Sequence, residues 1–335
     1  CAGCGETAYL KNLTQVFQER LMIANATGCS SIYGASVPSF PYKVAWANSL
    51  FEDNAEFGLG IYKGIEVARR KVYQYMKENL NKDKELFSKW LENFNNADVC
   101  REILAEIDFD QHKKLRQYAS YIVPNSMWIV GGDGFAYDIG YSGIDHVISR
   151  NDNINILVLD TEVYSNTGGQ ASKSSNKGAV AQFASHGKQS YKKDLARIAM
   201  CYPNCYVACV NIGYDKEQYL RVLKEADEHN GPSLVIAYSP CIEHGIKKGM
   251  EYSLVDSHLA TECGYFPIFR YFPEKEKFYL DSKKVDFSLY DHFLEGENRY
   301  LNLKRVNPKE ADIILEDQKK NAMKRYEYLQ KLSDE

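Results

Sequence analysis

The chain lacks the features that would take it out of the ordinary globular class. No stretch approaches the roughly 18 consecutive apolar residues that a spanning helix requires, which excludes a membrane-spanning protein. Proline is scarce at 9 and glycine modest at 22 in 335 residues, and no internal repeat or low-complexity tract is visible. Collagen-like and disordered classes are therefore excluded. Net charge is small: 41 Lys and Arg against 45 Asp and Glu leave −4, which argues against a dedicated nucleic-acid binder. No initiator methionine and no basic-then-apolar leader precede Cys1, so the chain is expected to lack a signal peptide and to be a piece of something longer.

What is present is an apolar fraction of 44% and a charged fraction of 26%, ordinary for a soluble chain able to bury a sizeable core. The length predicts about two domains, or one large α/β domain with insertions. Nine cysteines is an odd count without the spacing of a small disulfide framework. Such cysteines point to metal, redox chemistry or packing in a reducing, cytoplasmic compartment.

Apolar spacing predicts an amphipathic helix over 6–20, a short strand over 21–24 and a turn at Gly28–Ser31. A Pro- and Ser-rich loop is expected over 36–42, then a long helix over about 56–80. The charge-dense segment of about 81–120 reads as a helical insertion on the outside of the core. Beyond it, apolar β-rich runs at 127–130, 154–159, 206–210 and 233–237 alternate with stretches able to hold helices. That alternation predicts an α/β fold with a doubly wound, mostly parallel sheet. Asp215 with Gln218 has capping-box spacing, and Asn307-Pro308 should open a terminal helix. The main domain is expected to span 1–270, with a C-terminal extension over 271–335 that ends in this helix.

The strongest local signal is Gly131-Gly132-Asp133-Gly134 directly behind a strand. Glycines let backbone approach a diphosphate, and a following helix would aim amide groups at it. A carboxylate in that place suits a diphosphate only through a divalent cation, so Asp133 is a candidate magnesium ligand. The bland alternative is a tight turn with an exposed Asp. Thr161 comes 28 residues later, at the end of the next strand, where its hydroxyl and a nearby carbonyl could join the same cation. Cys1 and Cys4 form a Cys-x-x-Cys pair, while Cys29 and Cys241 lie in loops just past strands. Four thiolates suit zinc or a [4Fe–4S] cluster, and spacing does not choose between them. Cys100, Cys201, Cys205, Cys209 and Cys263 are expected to be buried packing residues. His244 is expected to be a solvated loop residue.

Cys-Ala-Gly-Cys-Gly-Glu-Thr, Ala-Thr-Gly-Cys-Ser-Ser-Ile-Tyr-Gly, Gly-Gly-Asp-Gly, Asp-Thr-Glu-Val-Tyr-Ser-Asn-Thr-Gly-Gly-Gln and Ser-Pro-Cys occur in this order. The set resembles the thiamine-diphosphate-binding domain of pyruvate:ferredoxin oxidoreductases, and of the pyruvate:NADP oxidoreductases in which that core is fused to a flavin reductase. The likeness is strong from Cys1 to about Gly249 and weak beyond. One departure is that Thr161 stands where thiamine enzymes usually place a ligand asparagine.

The resemblance implies a thiamine-diphosphate-binding fold and roles for the matching positions. Asp133, Thr161 and the Val163 carbonyl would hold Mg2+. Glu6, Cys29, Gly132, Asp133, Gly134, Phe135, Thr161, Glu162, Val163, Tyr164, Ser165 and Asn166 would contact thiamine diphosphate, with Asn166 facing pyruvate as a catalytic residue. Cys1, Cys4, Cys29 and Cys241 would bind a [4Fe–4S] cluster. The implied reaction is oxidative decarboxylation of pyruvate with CoA to acetyl-CoA and CO2, electrons passing from hydroxyethyl-thiamine diphosphate to the cluster and on to ferredoxin or a fused flavin reductase. The glutamate that activates the aminopyrimidine, and the Thr and Arg contacts to pyruvate, would come from N-terminal domains of the parent enzyme, so this piece alone would be inactive. A homodimer in the cytoplasm or an anaerobic redox organelle is the expected setting. Two other readings remain at this stage: a different 2-oxo acid:ferredoxin oxidoreductase, or a non-catalytic α/β module stabilised by zinc.

Overall fold

A computed structural model describes residues 1–34 and 44–334, so the loop expected over 36–42 lies outside the described residues. Its frame is one eight-stranded sheet: β1 (Leu21–Ala26), β2 (Ala45–Ser49), β3 (Ser126–Gly131), β4 (Asn155–Asp160), β5 (Tyr206–Val210), β6 (Ser233–Tyr238), β7 (Phe269–Phe272) and β8 (Lys277–Leu280). The order across the sheet is β2-β1-β3-β4-β6-β5-β7-β8. Every pairing from β2 through β5 is parallel, and β7 and β8 close one edge antiparallel.

The four strands read as continuous apolar runs, β3 to β6, are buried at every residue, as strands covered on both faces must be. Trp128, Val130, Leu157, Leu159, Val235 and Ala237 project to one face, where they meet Tyr9, Leu10, Leu13 and Phe17 of the helix Gly5–Phe17 and Tyr219, Val222 and Leu223 of the helix Lys216–Glu228. Ile129, Ile156, Val158, Leu234 and Ile236 project to the other face and pack in one core with Ile65 of the long helix Asn54–Glu78 and with Ile144 and Val147 of the helix Tyr141–Ser149. The C-terminal helix Ala311–Asp334 adds Ala322, Tyr326 and Leu329 to that same core. β7 spans the boundary expected at 270, and the C-terminal segment therefore shares the sheet and the core of what precedes it.

The insertion has a separate interior. Helices Lys84–Glu92, Ala97–Glu106 and Lys113–Arg116 gather Phe87, Trp90, Cys100, Ile103 and Leu115 around Val72 and Met76 from the far end of the long helix. Asp215 caps its helix by accepting the Gln218 N–H at 2.8 Å. Two local expectations are corrected. The turn at Gly28–Ser31 opens directly into a short helix, Cys29–Gly34. Cys201 is exposed, because the helix Leu195–Ala199 ends just before it and leaves it on the surface, whereas Cys100, Cys205, Cys209 and Cys263 are buried. No helix among the described residues is long and apolar enough to cross a membrane.

Candidate cofactor cleft at the switch point of the sheet

From β1 the chain reaches β2 on one side and β3 on the other, so the sheet changes winding direction between β1 and β3. In open parallel sheets, ligands occupy the crevice that such a reversal opens at the carboxyl ends of the strands. A cleft lies there, its wall built from the residues that follow β1, β3 and β4 together with Glu6 of the first helix. It is lined by Glu6, Cys29, Gly132, Asp133, Gly134, Phe135, Thr161, Val163, Tyr164, Ser165 and Asn166. Thr27, Gly28, Ser30, Phe51 and Thr167 complete the wall, and no motif pointed to Phe51. Glu162, also expected to contact a cofactor, is not part of the wall; its side chain turns the other way.

Asp133 sits at the base, buried, with one carboxylate oxygen held and the other free. Oδ2 accepts from Ser172 Oγ at 2.8 Å and from Ser174 Oγ, whereas Oδ1 is buried with no hydrogen-bond partner. Burial, and then the nearby Asp160 carboxylate, push the Asp133 pKa well above the usual carboxylate range, against the pull of the two serines. A buried carboxylate oxygen without a partner calls for an explanation, and a bound ion is one that its chemistry allows. Beside it, Thr161 Oγ1 donates to the Val163 carbonyl at 3.0 Å, and Ser165 Oγ donates to Thr161 Oγ1 at 3.1 Å. A hard cation takes this oxygen set: one carboxylate, one hydroxyl and one carbonyl. Ser172 and Ser174 were missed by sequence reasoning, since a small hydroxyl some forty residues downstream carries no local signal. The helix expected behind the glycine motif is a single turn, Asp133–Ala136, so its dipole contributes little.

Glu162 is fully buried on the far side of the loop. Its carboxylate pairs with Lys192 Nζ at 2.8 Å and Arg299 Nη1 at 2.9 Å, and Asn176 Nδ2 donates to it at 3.0 Å. Burial alone would raise this carboxyl, and Lys192 and Arg299 outweigh it, holding the pKa at about 2. His244 also corrects expectation: it is fully buried, and its Nε2 donates to the Thr161 carbonyl at 2.6 Å. Glu6 is buried, the Tyr33 hydroxyl donates to it at 3.1 Å, and burial raises its carboxyl to about 7.

The cysteines expected to act together occupy three converging loops. Gly5 N–H donates to the Pro240 carbonyl at 3.0 Å, which ties the Cys4 loop to the Cys241 loop. That approach needs glycine: a Cβ on Gly5 would lie 2.6 Å from Pro240 N, and Gly3, at φ 74°, would place one 2.1 Å from the Met250 carbonyl oxygen. Cys241 is buried and donates to Ser165 Oγ at 3.2 Å; Cys4 and Cys29 are half-buried, and Cys1 is exposed. Burial first, then the negative charges of Glu6, Cys241 and Cys4, push the Cys29 thiol up to about 12. Three thiols and a carboxylate therefore share a neighbourhood short of positive charge. Their donor type fits an iron–sulfur or zinc centre. Among the described residues, no group of three or more His, Cys, Asp or Glu is gathered as a ready coordination sphere.

Residues 119–237 match the family described as thiamine pyrophosphate enzyme, C-terminal TPP binding domain, a span that holds Asp133, Thr161 and Val163. The chain resembles the thiamine-diphosphate-binding domain of the pyruvate oxidoreductases. It is 47% identical over 310 residues to a pyruvate-flavodoxin oxidoreductase of Klebsiella pneumoniae, covering 85% of this chain and 26% of that protein. It is 45% identical over 320 residues to the pyruvate:ferredoxin oxidoreductase of Moorella thermoacetica, covering 84% of this chain and 27% of that one. With a pyruvate dehydrogenase [NADP(+)] of Cryptosporidium parvum the identity is 42% over 357 residues, covering 85% and 18%. The chain thus spans about a quarter or less of the length of these relatives.

Proposed function

We propose that this chain is the cofactor-bearing part of a pyruvate oxidoreductase, in which the cleft between β1, β3 and β4 takes thiamine diphosphate through Mg2+. The observation that carries this reading is the buried, unpartnered Oδ1 of Asp133 beside the paired Thr161 hydroxyl and Val163 carbonyl, in a cleft floored by glycine backbone. Asp133, Thr161 and the Val163 carbonyl would hold the cation, and the open backbone at Gly132 would meet the diphosphate. Glu6, with its carboxyl raised to about 7, holds a proton near neutral pH at the cleft wall. Asn166, exposed and part of the cleft wall, would face the substrate. Cys1, Cys4, Cys29 and Cys241 would hold a [4Fe–4S] cluster, a role supported by their donor type and their convergence beside the cleft.

With those groups bound, thiamine diphosphate supplies the electron-rich carbon that decarboxylation of a 2-oxo acid requires, and a cluster accepts electrons singly. Acceptor choice (ferredoxin, flavodoxin or NADP) differs among the relatives, so it belongs to parts of the parent enzyme outside this cleft. Nine free cysteines suit a reducing compartment such as the cytoplasm. The test is calorimetric titration of the chain with thiamine diphosphate, with and without Mg2+. Binding is expected only with Mg2+ and should be lost in Asp133→Ala; unchanged affinity in that variant refutes the assignment.

A further inference from the structure

The loop after β4 holds one residue in a conformation that side-chain sterics resist. Glu162 has φ 58°, in the left-handed region that is strained for a residue with a Cβ. The bend there sets Thr161 Oγ1 against the Val163 carbonyl, so two of the three proposed cation ligands lie immediately on either side of it. A glycine would take this bend freely. A glutamate stands there instead, with its side chain directed away from the cleft.

That side chain is one end of a buried circuit. The Glu162 carboxylate pairs with Arg299 Nη1 at 2.9 Å, and Arg299 Nε donates to Glu297 Oε2 at 2.7 Å. The other oxygen of Glu297 lies 3.3 Å from His244 Nδ1, in ion-pair range of a protonated ring but without hydrogen-bond geometry, and His244 Nε2 donates to the Thr161 carbonyl at 2.6 Å. Glu162, Glu297 and His244 are each 1% exposed or less, and Arg299 is 5% exposed. The circuit thus grips the strained residue twice: by its carboxylate, and by the carbonyl just before it. Lys192 reinforces the first grip, bridging Glu162 and Asp160. Buried ion groups contribute little net stability compared with apolar packing, so stability alone is a weak reason for this arrangement. Its two ends converge on one peptide of the cation loop.

We propose that Glu162, clamped by Arg299, Glu297 and His244, is a positioning residue that pre-shapes the loop for the divalent cation. This rests on the magnesium and thiamine diphosphate reading above. The clamp draws Arg299 and Glu297 from a segment beyond the matched family span, so cation affinity in this cleft depends on residues about 135 positions downstream of the loop.

The experiment titrates the 335-residue chain with Mg2+ at saturating thiamine diphosphate, and records melting temperatures in parallel. Arg299→Met and Glu162→Gln are expected to weaken Mg2+ binding by about 10- to 100-fold, the usual effect of removing a residue that orients a metal ligand. Arg299→Lys should restore part of the loss. The control is Arg270→Met, which breaks a different part-buried ion cluster, with Glu225 and Asp281, and should lower the melting temperature with Mg2+ affinity unchanged. Folded Arg299→Met that binds Mg2+ as wild type does, while Asp133→Ala fails to bind, overturns the clamp and leaves the cofactor reading intact. Wild-type binding by Asp133→Ala overturns the cofactor reading, and the clamp with it. Should Arg299→Met not fold, the near-isosteric Glu162→Gln decides by the same criterion.

Discussion

Two adjacent glycines at the end of β3, Gly131 and Gly132, are expected to do different work, and exchanging each for alanine separates the two tasks. A Cβ on Gly131 would lie 2.4 Å from Phe135 Cδ1 and 2.8 Å from Ala26 Cβ. Ordinary carbon contacts begin near about 3.5 Å, so the ring of buried Phe135 would have to move by about 1 Å. Overpacking of this kind typically costs about 1–3 kcal/mol. At roughly 2 °C per kcal/mol for a chain of this size, Gly131→Ala should melt roughly 2–6 °C below wild type. Gly132 is different: its φ of −98° suits any residue, and the nearest atom to a Cβ would be the Leu159 carbonyl oxygen at 3.7 Å. Gly132→Ala should therefore keep the wild-type melting temperature. On the proposed reading its methyl group would stand where the diphosphate is to approach the backbone, and loss of one charge-assisted hydrogen bond there would weaken binding by about 10- to 100-fold. Differential scanning calorimetry and titration with thiamine diphosphate and Mg2+ read the two effects separately. A stable Gly131→Ala, or a Gly132→Ala that loses stability and keeps affinity, would refute this division.

Two further expectations follow from burial. Glu6 has a folded-state pKa of about 7, above that of an unfolded glutamate, so its contribution is fully present below about pH 4.3 and is lost as pH rises through 7, a change on the order of 3 kcal/mol in the ligand-free chain. Urea unfolding from pH 4.5 to 8 should show that decline in wild type and lack it in Glu6→Gln; parallel curves would contradict the assignment. A maleimide added to the native chain should label exposed Cys1 and Cys201 first and leave Cys205, Cys209 and Cys263 protected, as mass mapping can show; early labelling of Cys209 would contradict the described core.

The centre of the sheet was legible because strands covered on both faces carry uninterrupted apolar side chains, as in Ile-Leu-Val-Leu at 156–159. The edges were not. β2, Ala-Trp-Ala-Asn-Ser, is half-exposed and mixes polar with small residues, which gives neither a run nor an alternation. β7 and β8 form an aromatic hairpin whose partner strand, β5, ends about sixty residues earlier. At the cleft, glycines and an aspartate directly behind a strand are local features, and they pointed to Asp133 and Thr161. The supports of those residues are not local. Ser172 and Ser174 reach Asp133 from a later loop, and buried His244 meets Thr161, Tyr238 and, 53 residues on, Glu297. Within its own sequence, Cys-Ile-Glu-His-Gly looks like a solvated turn. The direction of the Glu162 side chain follows from Lys192 and Arg299, which no spacing rule connects to it.

The strand order also sets a timetable for synthesis. β1 must wait for β3, a hundred residues later, before Leu21 can pair with Ser126, and β4 cannot be flanked until β6 has been made, beyond β5. Such distant parallel pairings are slow steps in folding. Arg299, which pairs with Glu162 behind the cleft, is made only after every strand of the sheet. A nascent chain shorter than this carries the glycine motif and Asp133 but lacks the Arg299 partner of Glu162. If the proposed clamp shapes that loop, a ribosome stalled between Tyr238 and Arg299 would present the cleft with the loop after β4 still unbraced.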